Sequence, residues 1–229
     1  MNIKEFSDEF DTMLNSFGLQ PNITLDEYEK SVFLTKAQEQ IIIDTYAGNN
    51  PKGMSFEETE EARRYLSNLV ETYETSTQIE GKTGISKDSI FFQIPGDVWF
   101  ITYEAAVLND TRLGCLNLIE ASVIPIPQDD YYRIRNNPFR GPSKDRVLRL
   151  DIKGNLMELV SKYDVQKYIV RYLAQPSPII LIPLPDNLSI NGISTVSECE
   201  LNPVIHRAIL ERAVTLAIIS KTQLTGSKE

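Results

Sequence analysis

The chain has 229 residues, of which 41% are hydrophobic and 24% charged, and it carries a net charge of −9. That supports an ordinary core in one large domain or two small ones, and no apolar run nears the ~18 residues of a bilayer-spanning helix. With only Cys115 and Cys199 present, a disulfide framework is excluded, although a single bridge is not.

The opening MNIKEFSDEF is acidic and amphipathic, without the basic and apolar regions of a signal peptide, so a reducing cytosol is the simplest setting. Ile3, Phe6, Phe10, Met13, Leu14 and Phe17 recur at helical spacing over residues 2–17, and Gly18 and Pro21 end that helix. Thr24 and Glu27 form a capping box for a second helix, whose stripe of Leu25, Tyr28, Val32, Phe33, Ala37 and Ile41 runs on to Ala47. Gly48-Asn49-Asn50-Pro51 stops it. Ser55 and Glu58 make another box, opening a third helix with Ala62, Leu66, Leu69 and Tyr73 inward.

Residues 74–88 are polar and aperiodic, with Gly81 and Gly84, and read as a connector. From Ser89 the pattern becomes β: SIFFQI, a Pro95-Gly96-Asp97 turn, VWFITYEAAVL, a turn at Asn109-Asp110-Thr111, and a strand within Leu116 to Ile126. Pro125 and Pro127 end that strand, and a long segment rich in turn residues follows, read as a loop or a short helix and loop. RVLRLDI and LMELVSK around Lys153-Gly154-Asn155 form a hairpin, and Val165 to Leu173 a further strand. Proline pairs then punctuate a second apolar run, Ile179 to Ile182. The last helix starts with Asn202 as N-cap and Pro203 at the first helical position, with Ile205, Ile209, Ala213, Leu216 and Ala217 inward. Ala208, Ala213 and Ala217 leave part of its surface thin enough for another element to approach.

These elements divide the chain into an N-terminal helical part, 1–80, an antiparallel β part, 81–201, with a long basic loop at 127–146, and a C-terminal helix, 202–229, packing back on the helical part, together expected to make one composite domain. Helices, then strands, then a helix, without β-α-β alternation, predict an α+β fold around a central antiparallel β region.

Charge is segregated along this order. Residues 1–80 hold six Lys/Arg against sixteen Asp/Glu, whereas Tyr131 to Lys153 hold seven Lys/Arg against two Asp. Such a chain can attract copies of itself or turn one basic surface to an anionic partner.

Catalytic signatures are sparse. The single histidine, His206, would have to serve any histidine-based acid–base step, but in the first turn of the last helix it reads as a surface residue contacting a neighbour. No serine sits in a G-x-S-x-G elbow. His206, Cys115 and Cys199 lack the spacing of metal ligands, and no metal or cofactor is expected. The glycines from Gly48 to Gly53 suggest a phosphate loop, yet Met54 stands where its lysine belongs. Asp151 and Lys153, with Asp129, Asp130 or Asp145, permit a metal-dependent nuclease as a remote alternative.

The remaining candidate is the basic segment. Tyr131, Tyr132 and Phe139 interleave with Arg133, Arg135 and Arg140, and Lys144, Arg146 and Arg149 follow. This composition suits phosphate contact with base stacking, and it equally suits a protein interface, where Tyr and Arg concentrate. In an acidic protein the interface is favoured, with nonspecific DNA binding as the alternative.

EFSDEFDTM, LDEYEKSVFLTKAQEQIIIDTYAG and FEETEEARRYLSNLV resemble a structural protein of crAss-like tailed bacteriophages, as do RIRNNPFRGPSKDRVLRLDI, YIVRYLAQPSPIIL and CELNPVIHRAILERAVTLAI. The similarity spans nearly the whole chain and points to the ring, or head–tail connector, layer below the portal. It implies a non-enzymatic virion protein, forming a homo-oligomeric ring of about twelve copies that follows the portal. It further implies contacts with the portal and other tail or ring proteins, genomic DNA in the lumen, no membrane, and assembly in the host bacterial cytoplasm.

Overall fold

The computed structural model describes residues 1–16, 25–49, 53, 55–185 and 187–226. The chain forms two compact units, Met1–Leu69 with Pro176–Glu229, and Val70–Gln175.

The first unit is helical. Helix α1, Ile3–Ser16, buries Phe6, Phe10 and Leu14, and a reciprocal pair of bonds at its start joins Asn2 and Glu5, each 2.9 Å. The glycine and proline expected to end it lie outside the described residues. Helix α2, Glu27–Ala47, opens on an Asp26–Glu29 capping box and closes on left-handed Gly48 at φ 77°. The box expected at Thr24 and Glu27 is displaced, since Asp26 has the extended backbone of an N-cap; Thr24 itself lies outside the described residues.

The inward face of α2 also differs from the expected apolar stripe. Lys30, Ser31, Thr35 and Gln38 are buried beside Leu34, Ala37 and Ile42. Their partners give the reason. The Ser31 hydroxyl accepts from the Leu181 amide at 3.0 Å, Thr35 accepts from the Ile179 amide at 3.1 Å, and the Gln38 amide donates to the Ser177 carbonyl at 2.9 Å. The proline-punctuated run over 177–181 belongs to none of the seven strands; Ser197 pairs with Ile180, and α2 side chains satisfy backbone groups on either side of it. Lys30 is held by Asp11 at 2.7 Å and Glu27 at 2.8 Å.

Helix α3 spans only Glu60–Leu66, with Thr59 as N-cap. The Glu58 carboxylate does accept from the Ser55 amide, at 2.7 Å, but that box closes a turn ahead of the helix. A 3-10 turn, Ser67–Leu69, follows α3, and Tyr73, expected on the third helix, lies in a strand. Asn202 caps the C-terminal helical run as expected: its side chain accepts from the Val204 amide at 3.1 Å, and Pro203 leads through a 3-10 turn into the last helix, α5, His206–Gly226. Ile205, Ile209, Leu210, Ala213, Val214 and Ala217 are buried, and α5 packs along α2 and against α1. His206 is 4% exposed rather than a surface residue: Nε2 bonds the Leu201 carbonyl at 2.9 Å, and its ring lies 5.4 Å from that of Phe6. Burial lowers its pKa.

The second unit is a seven-stranded sheet: β1, Val70–Thr75; β2, Ser89–Gln93; β3, Val98–Leu108; β4, Ile119–Pro125; β5, Arg146–Ile152; β6, Leu156–Val160; and β7, Val165–Ala174. Their order is β1-β7-β3-β4-β5-β6-β2. Five of the neighbouring pairs are antiparallel, in keeping with the α+β expectation, but β4 and β5 run parallel. The connection between them carries a fifth helix, α4, Tyr131–Arg135, so one β-α-β unit is present where none was expected. The segment expected as a long arginine-rich loop is this helix followed by tight turns.

The sheet curls until its far strands meet. Phe92 of β2 packs on Tyr168 of β7 with ring centroids 5.6 Å apart. Beyond β1, Gln78 bridges Phe92, and the Ile79 amide donates to the Phe91 carbonyl at 2.8 Å, covering the outer edge of β2. A large core, including Ala106, Leu108, Val123, Val147, Leu159 and Val170, fills the concave side. Helix α4 covers the opposite face of β5 and β6, where Tyr131 meets Leu148, Leu150 and Val160. Every residue of LMELV is buried, so β6 shows no alternation; its one charged residue, Glu158, accepts from the Ile85 amide at 2.6 Å. Cys115 and Cys199 are free thiols.

The tyrosines of β7 make this unit sensitive to alkali. Burial, then the neighbouring Glu104, pushes the Tyr168 phenol well above its ordinary value, and burial with the Glu71 hydrogen bond pushes Tyr172 up to about 12. Below about pH 10 both phenols are protonated, folded or unfolded, and this contribution is intact. Above it the unfolded chain loses protons first, so stability falls as pH rises through 12. Thermal midpoints against pH should show this loss together with delayed phenolate absorbance; unchanged midpoints above pH 10 would contradict it.

Candidate interaction surface

The basic segment is built outward from one buried ring. Tyr131 is fully buried, and its hydroxyl has no hydrogen-bond partner among the described residues, so it acts as an apolar peg fixing α4 to the sheet. With Tyr131 inward, Tyr132 and Arg133 face solvent; Tyr132 is 67% exposed and Arg133 pairs with Asp130 at 2.8 Å. Arg135 lies over the Tyr131 ring, 5.9 Å from its centroid, and 3.7 Å from Asp88.

After α4 the chain reverses around Asn137, whose side-chain oxygen accepts from the Phe139 and Arg140 amides at 2.8 and 3.2 Å. The Gly141 amide donates to the Asn137 carbonyl at 2.8 Å, and a Cβ at Gly141 would stand 2.7 Å from the Arg135 carbonyl oxygen, so only glycine fits. Arg146 donates to the Phe139 carbonyl and ties the turn to β5. The result is a braced knob with Phe139 at its tip, 85% exposed. Arg140, beside it, is exposed and has no ion-pair partner among the described residues, whereas Lys144 lies 3.6 Å from Asp145.

Of the nine residues expected to make contacts, Tyr132, Arg133, Arg135, Phe139, Arg140 and Lys144 share this exposed knob, and Arg146 braces it from partial burial. Tyr131 and Arg149 are interior, which removes them from the contact surface. Arg149, in β5, donates to Glu104 of β3 at 2.5 Å, and its Nε lies 3.2 Å from Asp151. Tyr168 donates to the other Glu104 oxygen. Burial opposes the Arg149 charge, but the Glu104 bond and charge outweigh it and raise its pKa.

A plain in–out alternation along β3 does not account for Glu104. Register shifts between Val98 and Phe100, and between Ile101 and Tyr103, rotate the strand so that Glu104, Ala105 and Ala106 are all buried. The usable signal was a glutamate within an apolar run.

The nuclease alternative loses its parts to ion pairs. Asp151 is engaged by Arg149, Asp130 by Arg133, and Asp145 by Lys144. No three of His, Cys, Asp and Glu are placed to hold a metal ion among the described residues. No helix there is long and apolar enough to cross a membrane.

The knob is thus a braced projection carrying aromatic and cationic side chains. Comparison with known proteins identifies the family. Residues 1–229 match the family model for phage tail ring protein 3/4. The chain is 74% identical over 230 residues to Ring protein 3 of Bacteroides phage crAss001, covering all of both chains. It is 36% identical over 227 residues to Ring protein 4/5 of the same phage, covering 95% of this chain and 92% of that one. The chain therefore belongs to the phage tail ring protein 3/4 family and is a ring-forming, non-enzymatic structural protein of crAss-like phages.

Proposed function

We propose that this protein forms one layer of the head-to-tail connector below the portal: a closed ring of about twelve copies around the DNA channel, built in the host cytoplasm and retained in the virion. The observation that carries this reading is the knob: a rigid turn on a ring-family fold, presenting Phe139, Tyr132, Arg133 and Arg140 to solvent. Exposed aromatics beside arginines are the residues that anchor protein interfaces. A predominantly acidic chain around the channel would repel phosphate and let the duplex slide.

Nonspecific DNA binding fits the knob less well. Asp130, Asp88 and Asp145 already lie against Arg133, Arg135 and Lys144. That leaves fewer uncompensated cations than the ~6–10 phosphate contacts of strong nonspecific binders. The test is reconstitution with the portal protein. We expect a ring layer on portal particles in electron micrographs and cosedimentation of the two proteins. A chain that stays monomeric and unbound beside intact portals would defeat the reading.

A further inference from the structure

Sequence segregates charge, and the structure gives each sign a shape. The cationic shape is the knob; from Tyr131 to Lys144 there are four cations and no carboxylate. The anionic shape is on the helical unit, an open depression of about 520 Å³ lined by Glu60, Glu61, Arg64 and Tyr65 of α3 and by Val204. Val204, 69% exposed, gives the depression apolar surface. The Tyr65 hydroxyl donates to Glu61 at 2.6 Å, which holds that ring at the wall.

We infer that the knob of one copy docks into this depression on a neighbouring copy, with Phe139 against Val204 and Tyr65 and with Arg140 against Glu60 and Glu61. The inference rests on the ring reading and names the partner surface within it. Two features select a second copy as occupant. First, the surfaces complement each other in both respects: an exposed phenyl ring meets exposed Val204 and the half-buried Tyr65 ring, and a cation without an ion-pair partner among the described residues meets Glu60 and Glu61. Within the depression Arg64 holds Glu60 only at 3.4 Å, with both side chains more than 70% exposed, so at Glu60 an incoming guanidinium can displace it. Second, the knob and the depression are different surfaces of the chain. Contact between unlike surfaces repeats head to tail, as a closed ring of the family's kind requires, whereas a self-complementary patch would stop at a dimer.

The contact can be tested by splitting it between two full-length variants. One carries Phe139→Ser and Arg140→Glu and keeps only the depression; the other carries Glu60→Lys and Glu61→Lys and keeps only the knob. Each should retain wild-type circular dichroism yet lose ring formation in sedimentation and native mass spectrometry. Mixed, they should form a one-to-one dimer and nothing larger. Val204→Asp, which leaves the start of α3 untouched, should also abolish rings. If both double variants assemble as wild type does, the pairing is wrong while the ring reading stands. If the knob variant builds rings but loses salt-sensitive binding to duplex DNA, the knob contacts nucleic acid and the inference falls. If the wild-type chain never self-associates, with or without portal, the ring reading fails and takes this inference with it.

Discussion

Arg149→Ala should cost about 3–5 kcal/mol, a large share of the ~5–15 kcal/mol by which a domain is stable. The cost does not measure what the ion pair contributes. It arises because the Glu104 carboxylate, 7% exposed, stays behind without its guanidinium. Urea denaturation at neutral pH should show the fall in midpoint. Glu104→Leu combined with Arg149→Met should recover most of the loss, because a packed apolar pair of similar volume needs no desolvation. A single Arg149→Ala within about 1 kcal/mol of wild type would mean that water reaches Glu104 and the site is not dry.

Phe92→Ala should be about as severe, at about 3–5 kcal/mol, through a cavity where the two ends of the sheet meet. Phe92 is fully buried, and its ring against Tyr168 is the contact by which β2 meets β7. The loss should have a local signature that a general core deletion lacks. The Ile79 amide, bonded to the Phe91 carbonyl at 2.8 Å, should exchange with solvent much faster under native conditions, while amides in the β3–β7 ladder follow global stability. Uniform acceleration would show that the closure does not depend on this ring.

Much of the fold was legible because most elements keep one periodicity. Phe6, Phe10 and Leu14 announce α1, and the RVLRLDI–LMELV hairpin declares itself around Gly154-Asn155. Errors fall where a tertiary partner changes what a residue must do. On α2, buried Ser31, Thr35 and Gln38 look like a solvent face until the backbone groups of Leu181, Ile179 and Ser177 are laid against them. Tyr73 continues a helical spacing, yet its strand pairs with β7, a segment about a hundred residues away that no local pattern reveals. The parallel β4–β5 pair is likewise invisible, since a short helix between strands looks the same whether the chain returns beside its starting strand or elsewhere.

The candidate surface was legible in composition but not in orientation. Seven cations in one segment look equivalent; in space Arg149 is interior, Arg146 is structural, and Arg140 is exposed without an ion-pair partner among the described residues. What separates them is strand parity and the turn at Asn137, neither of which a charge count contains.

The helical unit is drawn from both ends of the sequence, whereas all seven strands lie within Val70–Gln175. During synthesis α1 and α2 therefore leave the ribosome long before α5, their packing partner, exists. The sheet can be complete while α2 still shows solvent the side chains that later bind 177–181. For a protein translated in many copies, that interval has a characteristic hazard: the last helix of one nascent chain can settle on the waiting α2 of another, giving an exchanged pair with native contacts in the wrong molecule.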